Sequence, residues 1–360
     1  MPAASFTFTD AAASGGRNDM ARITIMGTGG FGVALAVMCH KFGHQVTLWG
    51  KFPEEIQQIR RYGEHKKLLP GVAVDSGIHL TSDLEEGREA EVVILAVPSF
   101  AVRETARAAH GILGEKTVVA NVAKGLESGT LKRLSQVIEE EITDHPIVIL
   151  SGPSHAEEIA RGVPTTIVAA SKCRESAEYI QDTLSNKTLR IYVSDDVVGV
   201  ELGGALKNII AVCAGICDGL QLGDNAKAAL MTRGIAEIAR LGTAMGAEAE
   251  TFSGLAGIGD LIVTCTSLHS RNHRTGILIG QGLTPDEAIE RVGMTVEGCI
   301  ATKSAYELAR EKRVSMPIVE QLYDVLYHQK DIKEAIADLM GRPKRHENEK
   351  IWLQGGSDSI

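Results

Sequence analysis

Through the first half of the chain, short apolar runs alternate with stretches whose apolar residues recur at helical spacing; the second half carries only the helical pattern. The runs Arg22–Met26, Gln45–Trp49, Val92–Pro98, Thr117–Asn121, Ile147–Ser151, Thr166–Ala170 and Arg190–Val193 predict β-strands. Between several of them, Gly32–Lys41, Glu54–Tyr62 and Leu131–Glu141 predict helices. Val92-Val93-Ile94-Leu95-Ala96-Val97 has no polar alternation, as in a strand covered on both faces. Strands separated by helices predict a parallel sheet with crossovers. After about Asp195 the pattern predicts helices at Gly199–Cys217, Ala226–Met245, Pro285–Val292, Thr295–Glu311, Ile318–Tyr327 and Ile332–Met340. The expected fold class is therefore α/β, with a doubly wound sheet over residues 21–194 and an all-α domain over 195–343. Residues 1–20 read as a disordered tail and 344–360 as a frayed one.

Composition narrows the classes. The chain has 360 residues, a length that suits two cores better than one. Aromatics make up only 4%, so the cores must be built from Ala, Val, Ile and Leu. The net charge of -9, without a long basic run, argues against nucleic acid as the main partner. The apolar segment Ile209–Cys217 is short and directly follows the Lys207-Asn208 pair, so no membrane span is expected. Residues 1–20 lack the basic start and apolar core of a signal peptide. The six cysteines form no CxxC pair and no set with metal-ligand spacing, so no metal is expected and a reduced, cytoplasmic setting is.

Gly27-Thr28-Gly29-Gly30-Phe31-Gly32 is a GxGxxG between a predicted strand and a predicted helix. In that context it predicts a Rossmann-type dinucleotide site. Gly27 permits the tight turn, Gly29 lets backbone approach a pyrophosphate, and Gly32 lets the helix pack on the strand. The helix N-terminus offers free N–H groups to the phosphates. The second strand ends Leu48-Trp49-Gly50-Lys51, without the acid that usually holds a ribose 2′-hydroxyl. Lys51 could meet a 2′-phosphate or simply be a solvated lysine, while Glu54 and Glu55 leave NAD open.

In open parallel sheets, ligands bind beyond the C-terminal strand ends. There stand Lys124 between Ala123 and Gly125, and Gly152-Pro153-Ser154, whose backbone N–H and hydroxyl suit an anion. In the helical half, Lys207 has Gly203, Gly204 and Ala211 as helical neighbours and no carboxylate at i±3 or i±4. A lysine buried on a face of tiny side chains leaves room for a ligand, and desolvation lowers its pKa toward neutrality. Gly254 to Asp260 forms a glycine-rich turn ending in a carboxylate, and Ser270-Arg271-Asn272 follows with good phosphate donors. His273 alone reads as structural or solvated.

These residues carry a resemblance. GTGGFG, the AKG of residues 123–125, SGPSHAEE, GALKNI, GLAGIGDLIVTC, SRN and VEG occur in order over residues 22 to about 343. In this the chain resembles the bacterial-type NAD(P)-dependent glycerol-3-phosphate dehydrogenases. The resemblance implies interconversion of dihydroxyacetone phosphate and sn-glycerol 3-phosphate with NADPH or NADH, the product feeding phospholipid synthesis. Beside Gly27, Gly29 and Gly32 of the turn, it places Gly30, Phe31, Lys51, Lys124, Ala156, Arg271, Thr295 and Glu297 along the cofactor. It places Lys124, Gly152, Ser154, Lys207, Asp260, Ser270, Arg271 and Asn272 around the substrate. It makes Lys207 the proton donor and acceptor, with Lys124 and Asp260 assisting. Departures are small: Val122 before the AKG, and Thr295-Val296 in place of a usual small apolar pair.

The alternatives are a related two-domain dehydrogenase of a 3-hydroxy acid or phosphogluconate, and a non-catalytic dinucleotide sensor. The Ser270-Arg271-Asn272 triplet argues against the first, and the second would need neither Lys207 nor Lys124. Many small residues in Ala226–Gly246 permit close helix packing within or between chains, so a homodimer stays open.

Overall fold

The computed structural model describes residues 20–344, so the tail expectations for residues 1–19 and 345–360 fall outside the described residues. Among the described residues, eight strands form one sheet: β1 (Arg22–Met26), β2 (Gln45–Trp49), β3 (His79–Thr81), β4 (Val92–Leu95), β5 (Val118–Asn121), β6 (Ile147–Ser151), β7 (Thr165–Ala170) and β8 (Leu189–Ser194). Their order is β3-β2-β1-β4-β5-β6-β7-β8. The first six reproduce the dinucleotide-binding order, with its switch point beside β1. The helices of this half are α1 (Gly30–Lys41), α2 (Pro53–Tyr62), α3 (Val102–His110), α4 (Leu134–Glu141), α5 (Ala156–Arg161) and α6 (Arg174–Leu184). Buried Val, Ile, Leu and Ala pack on both sheet faces, as the unbroken apolar runs require.

Two expectations are corrected. The sheet is not wholly parallel: β6 and β7 run antiparallel, joined by the short α5. β3 is a strand of three residues, too short for its alternation to register in the sequence. Leu131–Glu141 is not all helix either. Leu131 has φ 59°, and Arg133 pairs with Leu126 before α4 begins.

After β8 the described residues are helical: α7 (Val197–Gly219), α8 (Asp224–Ala244), α9 (Asp260–Thr266), α10 (Arg271–Gly280), α11 (Pro285–Val292), α12 (Glu297–Lys312), α13 (Pro317–Tyr327) and α14 (Ile332–Met340). α7 is the axis of this half. Its 23 residues are long and apolar enough to cross a membrane, with a mean hydropathy of 1.6, but 89% of that stretch is buried inside the protein. It starts on Asp196, whose side chain accepts the Gly199 N–H at 2.8 Å and the Thr251 hydroxyl at 2.6 Å. Glu201 ties α7 to the sheet half: its carboxylate accepts the Ser135 N–H at 2.7 Å and pairs with Arg133.

One buried carboxylate makes stability depend on pH. Glu237 on α8 is 4% exposed and accepts the Ile318 N–H of α13 at 3.0 and 3.1 Å. Burial pushes its carboxyl up to about 7, against which the backbone bonds act only partly. The folded chain therefore holds a proton that the unfolded chain has released, and stability falls as pH rises from about 4.5 to 7. The window corresponds to about 3 kcal/mol. Glu237→Gln keeps an acceptor for Ile318 without the charge. Thermal unfolding should show it more stable than wild type, with a gap that widens from acid to alkaline pH; a gap independent of pH would contradict this.

Candidate active site

Lys207, Asp260 and Lys124 meet where the sheet half and the helical half touch. Lys207 lies on α7 with its side chain 7% exposed, in the burial that its small neighbours predict. Its Nζ donates to Asp260 Oδ1 at 2.5 Å and to Thr264 Oγ1 at 2.6 Å. Lys124, after β5, donates to Asp260 Oδ2 at 2.7 Å and to the Gly152 carbonyl at 2.9 Å. One carboxylate, itself 1% exposed, thus bridges two ammonium groups that come from different halves of the molecule. Burial pushes the Lys207 ammonium down to about 8, while Asp260 acts in the opposite direction.

Two adjacent glycines explain the convergence. A Cβ on Gly203 would stand 2.4 Å from the Ala256 carbonyl, so the turn Leu255–Gly259 lies directly on the α7 backbone and delivers Asp260 at the start of α9. A Cβ on Gly204 would stand 2.5 Å from Ser151 Oγ and 3.6 Å from the Lys124 stem. Side chains at these positions would push both partners away from Lys207. The Leu255–Gly259 turn has π-helical pairing, a local irregularity that often marks a functional site.

The glycine-rich turn sits at the switch point, between β1 and α1. Gly27 has φ 128°, and its N–H donates to the Trp49 carbonyl at 2.8 Å. Space above Gly29 is open, with the nearest atom to a placed Cβ at 3.9 Å. No side chain caps α1, so its first N–H groups are available to an anion. The turn therefore fits a diphosphate. Across the seam, Glu297 at the start of α12 accepts the Ser99 hydroxyl at 2.8 Å and the Ser99 N–H at 3.2 Å.

Residues 22–177 match the family described as NAD-dependent glycerol-3-phosphate dehydrogenase N-terminus, and residues 196–337 match its C-terminus. A glycerol-3-phosphate dehydrogenase [NAD(P)+] of Desulfitobacterium hafniense is 52% identical, over 93% of this chain and 95% of its own. The chain belongs to the glycerol-3-phosphate dehydrogenase family. A second relative of the same name, from Moorella thermoacetica, is 53% identical over 91% of this chain and 98% of its own. The crystal structure of the glycerol-3-phosphate dehydrogenase from Coxiella burnetii superposes with a TM-score of 0.86 at 35% identity, covering 90% of this chain and 99% of that one.

Within this member of the glycerol-3-phosphate dehydrogenase family, the remaining expected residues take distinct positions. Ser270 caps α10 by accepting the His273 N–H at 3.2 Å. Arg271 is exposed, and its guanidinium makes no hydrogen bond or ion pair among the described residues. Asn272 is committed to structure on two sides: its amide donates to Asn208 at 2.9 Å and accepts the Gly298 N–H at 2.9 Å. One amide hydrogen remains for a ligand. Ser154 donates to the Gly152 carbonyl at 2.9 Å. Phe31, Ala156 and Thr295 are half-buried. Lys51 does not stand free, because it pairs with Glu104 of α3 at 2.7 Å. His273 is buried against Asp218 at 2.7 Å, a structural role as expected.

Four residues escaped the sequence reading. Thr264 stands one helical turn after Asp260, a spacing that could have marked it. Ser99 closes the strand-end segment Val97-Pro98-Ser99, which the sequence marks only as small or polar; its pairing with Glu297, 198 positions away, gave no signal. Phe52 and Phe100 are 61% and 67% exposed just past β2 and β4, the strands on either side of β1. Their exposure becomes visible only in three dimensions.

Proposed function

We propose that this chain catalyses the reversible NAD(P)H-dependent reduction of dihydroxyacetone phosphate to sn-glycerol 3-phosphate, the precursor of the phospholipid backbone. The observation that carries the proposal is the buried Lys207–Asp260–Lys124 cluster at the seam between a dinucleotide-type sheet and a helical half. We set the domain boundary at residues 194 and 195, after the last strand, with the glycine-rich turn in 21–194 and the proton donor Lys207 in 195–343; Lys124, Thr295 and Glu297 act across it.

Lys207 is the proton donor for reduction and the acceptor for oxidation. An ammonium has three N–H donors, and two are taken by Asp260 and Thr264. The third is free for the C2 oxygen of the substrate, where negative charge develops. Lys124 likewise has one donor beyond Asp260 and Gly152, and stabilises the same oxygen. Asp260 holds both ammonium groups and keeps Lys207 protonated near neutral pH. Arg271, Ser270 and Asn272 anchor the phosphate and so hold C2 in register, with Gly152 and Ser154 opposite; the Ser154 hydroxyl joins them by turning its one hydrogen from the Gly152 carbonyl to the phosphate. The bound nicotinamide supplies or receives the hydride. Gly27, Gly29, Gly30, Phe31 and Gly32 seat its diphosphate, and Ala156, Thr295 and Glu297 line its course. Phe52 and Phe100 offer their exposed rings to the adenine.

Lys51 takes part when a 2′-phosphate is present. Its pair with Glu104 is solvent-exposed and worth at most about 1 kcal/mol, so it opens readily. A cytoplasmic location fits the six free cysteines. A homodimer would use the half-exposed small residues of α8.

The direct test follows the loss of NADPH or NADH absorbance on addition of dihydroxyacetone phosphate. Oxidation supports the reading; a folded chain that binds the dinucleotide and oxidises neither form overturns it. Arg271→Ala should raise KM for dihydroxyacetone phosphate about tenfold to a hundredfold, the worth of a charged hydrogen-bonding group. An unchanged KM would remove Arg271 from the phosphate site.

A further inference from the structure

A chain of hydrogen bonds joins the segment after α2 to the glycine-rich turn, and the chemistry above does not use it. Thr28, inside that turn, is buried and donates its hydroxyl to Glu55 Oε2. Glu55 Oε1 lies 3.1 Å from His65 Nε2. His65 Nδ1 in turn accepts the backbone N–H of Leu68 at 3.2 Å. A backbone N–H can only donate, so Nδ1 is bare and the ring proton sits on Nε2, facing the carboxylate. Each of the four groups thus has one consistent role. The His65 side chain is only 8% exposed.

The chain closes on itself. The Leu68 carbonyl would stand 2.7 Å from a Cβ on Gly30, the residue that opens α1. Glycine at position 30 therefore admits a protein carbonyl as well as leaving the helix N-terminus bare. Leu69 N–H donates to the His65 carbonyl at 2.9 Å, which makes residues 65–69 a tight turn. Exposed Lys66 and Lys67 ride on it, and Lys67 is near enough to help hold the Glu55 carboxyl below its usual range, after the larger effect of His65.

We propose that Glu55 and His65 are positioning residues for the dinucleotide: they hold residues 65–69 as a shelf against the N-terminus of α1 and keep the diphosphate-binding turn in its binding shape. The inference rests on the cofactor site proposed above. A turn already ordered in the folded chain does not have to be ordered again when the dinucleotide binds. Of the two lysines on the shelf, Lys66 packs over the Tyr62 ring at 4.2 Å, and Lys67 adds positive charge near Glu55 beside the turn. The contribution is the same before and during hydride transfer, so it acts on cofactor affinity and not on turnover.

The test is a titration of NADPH and NADH fluorescence against the full chain, beside steady-state kinetics. His65→Ala should raise the dissociation constant of both dinucleotides about tenfold, with kcat at saturating cofactor and KM for dihydroxyacetone phosphate nearly unchanged. His65→Gln, whose amide can still donate to Glu55, should recover part of the loss. Hydrogen exchange should show the 65–69 amides losing protection in His65→Ala. Glu55→Ala leaves the His65–Leu68 bond in place and carries the test if His65→Ala does not fold. Unchanged affinity in a folded variant, or a fall in kcat at unchanged affinity, overturns the inference alone. A wild-type chain that binds neither dinucleotide overturns the functional reading and this inference with it.

Discussion

Lys207→Ala should lose turnover by about a thousandfold or more while still binding NADPH, because a positioned general acid contributes about a hundred- to ten-thousandfold. The physical basis is the position of Nζ, which is buried, paired with Asp260, hydrogen-bonded to Thr264 and left with one donor. Its ammonium is pushed down to about 8, so the proton is available near neutrality but lost in mild alkali. Reduction should therefore slow as pH rises through about 8, and oxidation should quicken over the same range. The desolvated lysine is no asset to the fold: its depressed pKa means that stability is gained, not lost, as pH climbs from about 8 toward 10.5. Lys207→Met should consequently be inactive and melt no lower than wild type. Kinetics of the alanine variant decide the assignment, and turnover near the wild-type rate would end it.

Asp260→Asn should be the most damaging single change to the site as a structure. Asp260 is 1% exposed and is the common partner of two lysines from different halves. Removing its charge leaves two ammonium groups facing each other in a buried place. Breaking a buried pair by removing one partner costs about 3–5 kcal/mol. Lys207 can relieve part of this by releasing its proton, which is the wrong state for proton donation. The expected result is a melting temperature several degrees lower, together with a loss of about a hundredfold in kcat for reduction at neutral pH. Activity should recover partly toward acid pH, where Lys207 regains its proton. Calorimetry with a pH–rate profile tests both halves, and unchanged melting with unchanged kcat would contradict the bridging role.

The halves of the molecule were legible because burial writes itself into composition. β4 and β5 are covered on both faces, and their sequences carry no polar alternation. β3 was not legible: three residues paired to β2 do not make a pattern, and their place is set by neighbours. The antiparallel β6–β7 pairing was equally silent, since strand direction depends on the path of the connection and not on side-chain period. At the site, Lys207 was legible from the small residues at its helical neighbours. The Thr264–Lys207 and Ser99–Glu297 pairings were missed because hydroxyls are common and these partners are remote in sequence. Lys51 shows the converse: its position after β2 marked it as a cation, but only folding brings Glu104 beside it.

By itself the sequence determined the α/β half followed by the helical half, the glycine-rich turn, and the residue types that carry the chemistry. These are local properties, settled by periodicity, turn geometry and the absence of side chains at particular positions. Only the tertiary structure decided that one carboxylate bridges Lys124 and Lys207 across 136 and 53 positions, that Glu297 holds Ser99, and that the Leu68 carbonyl rests on Gly30. The reason is that charge pairing and desolvation depend on distance and burial in space. Residues remote in sequence acquire those only when the two halves close on each other.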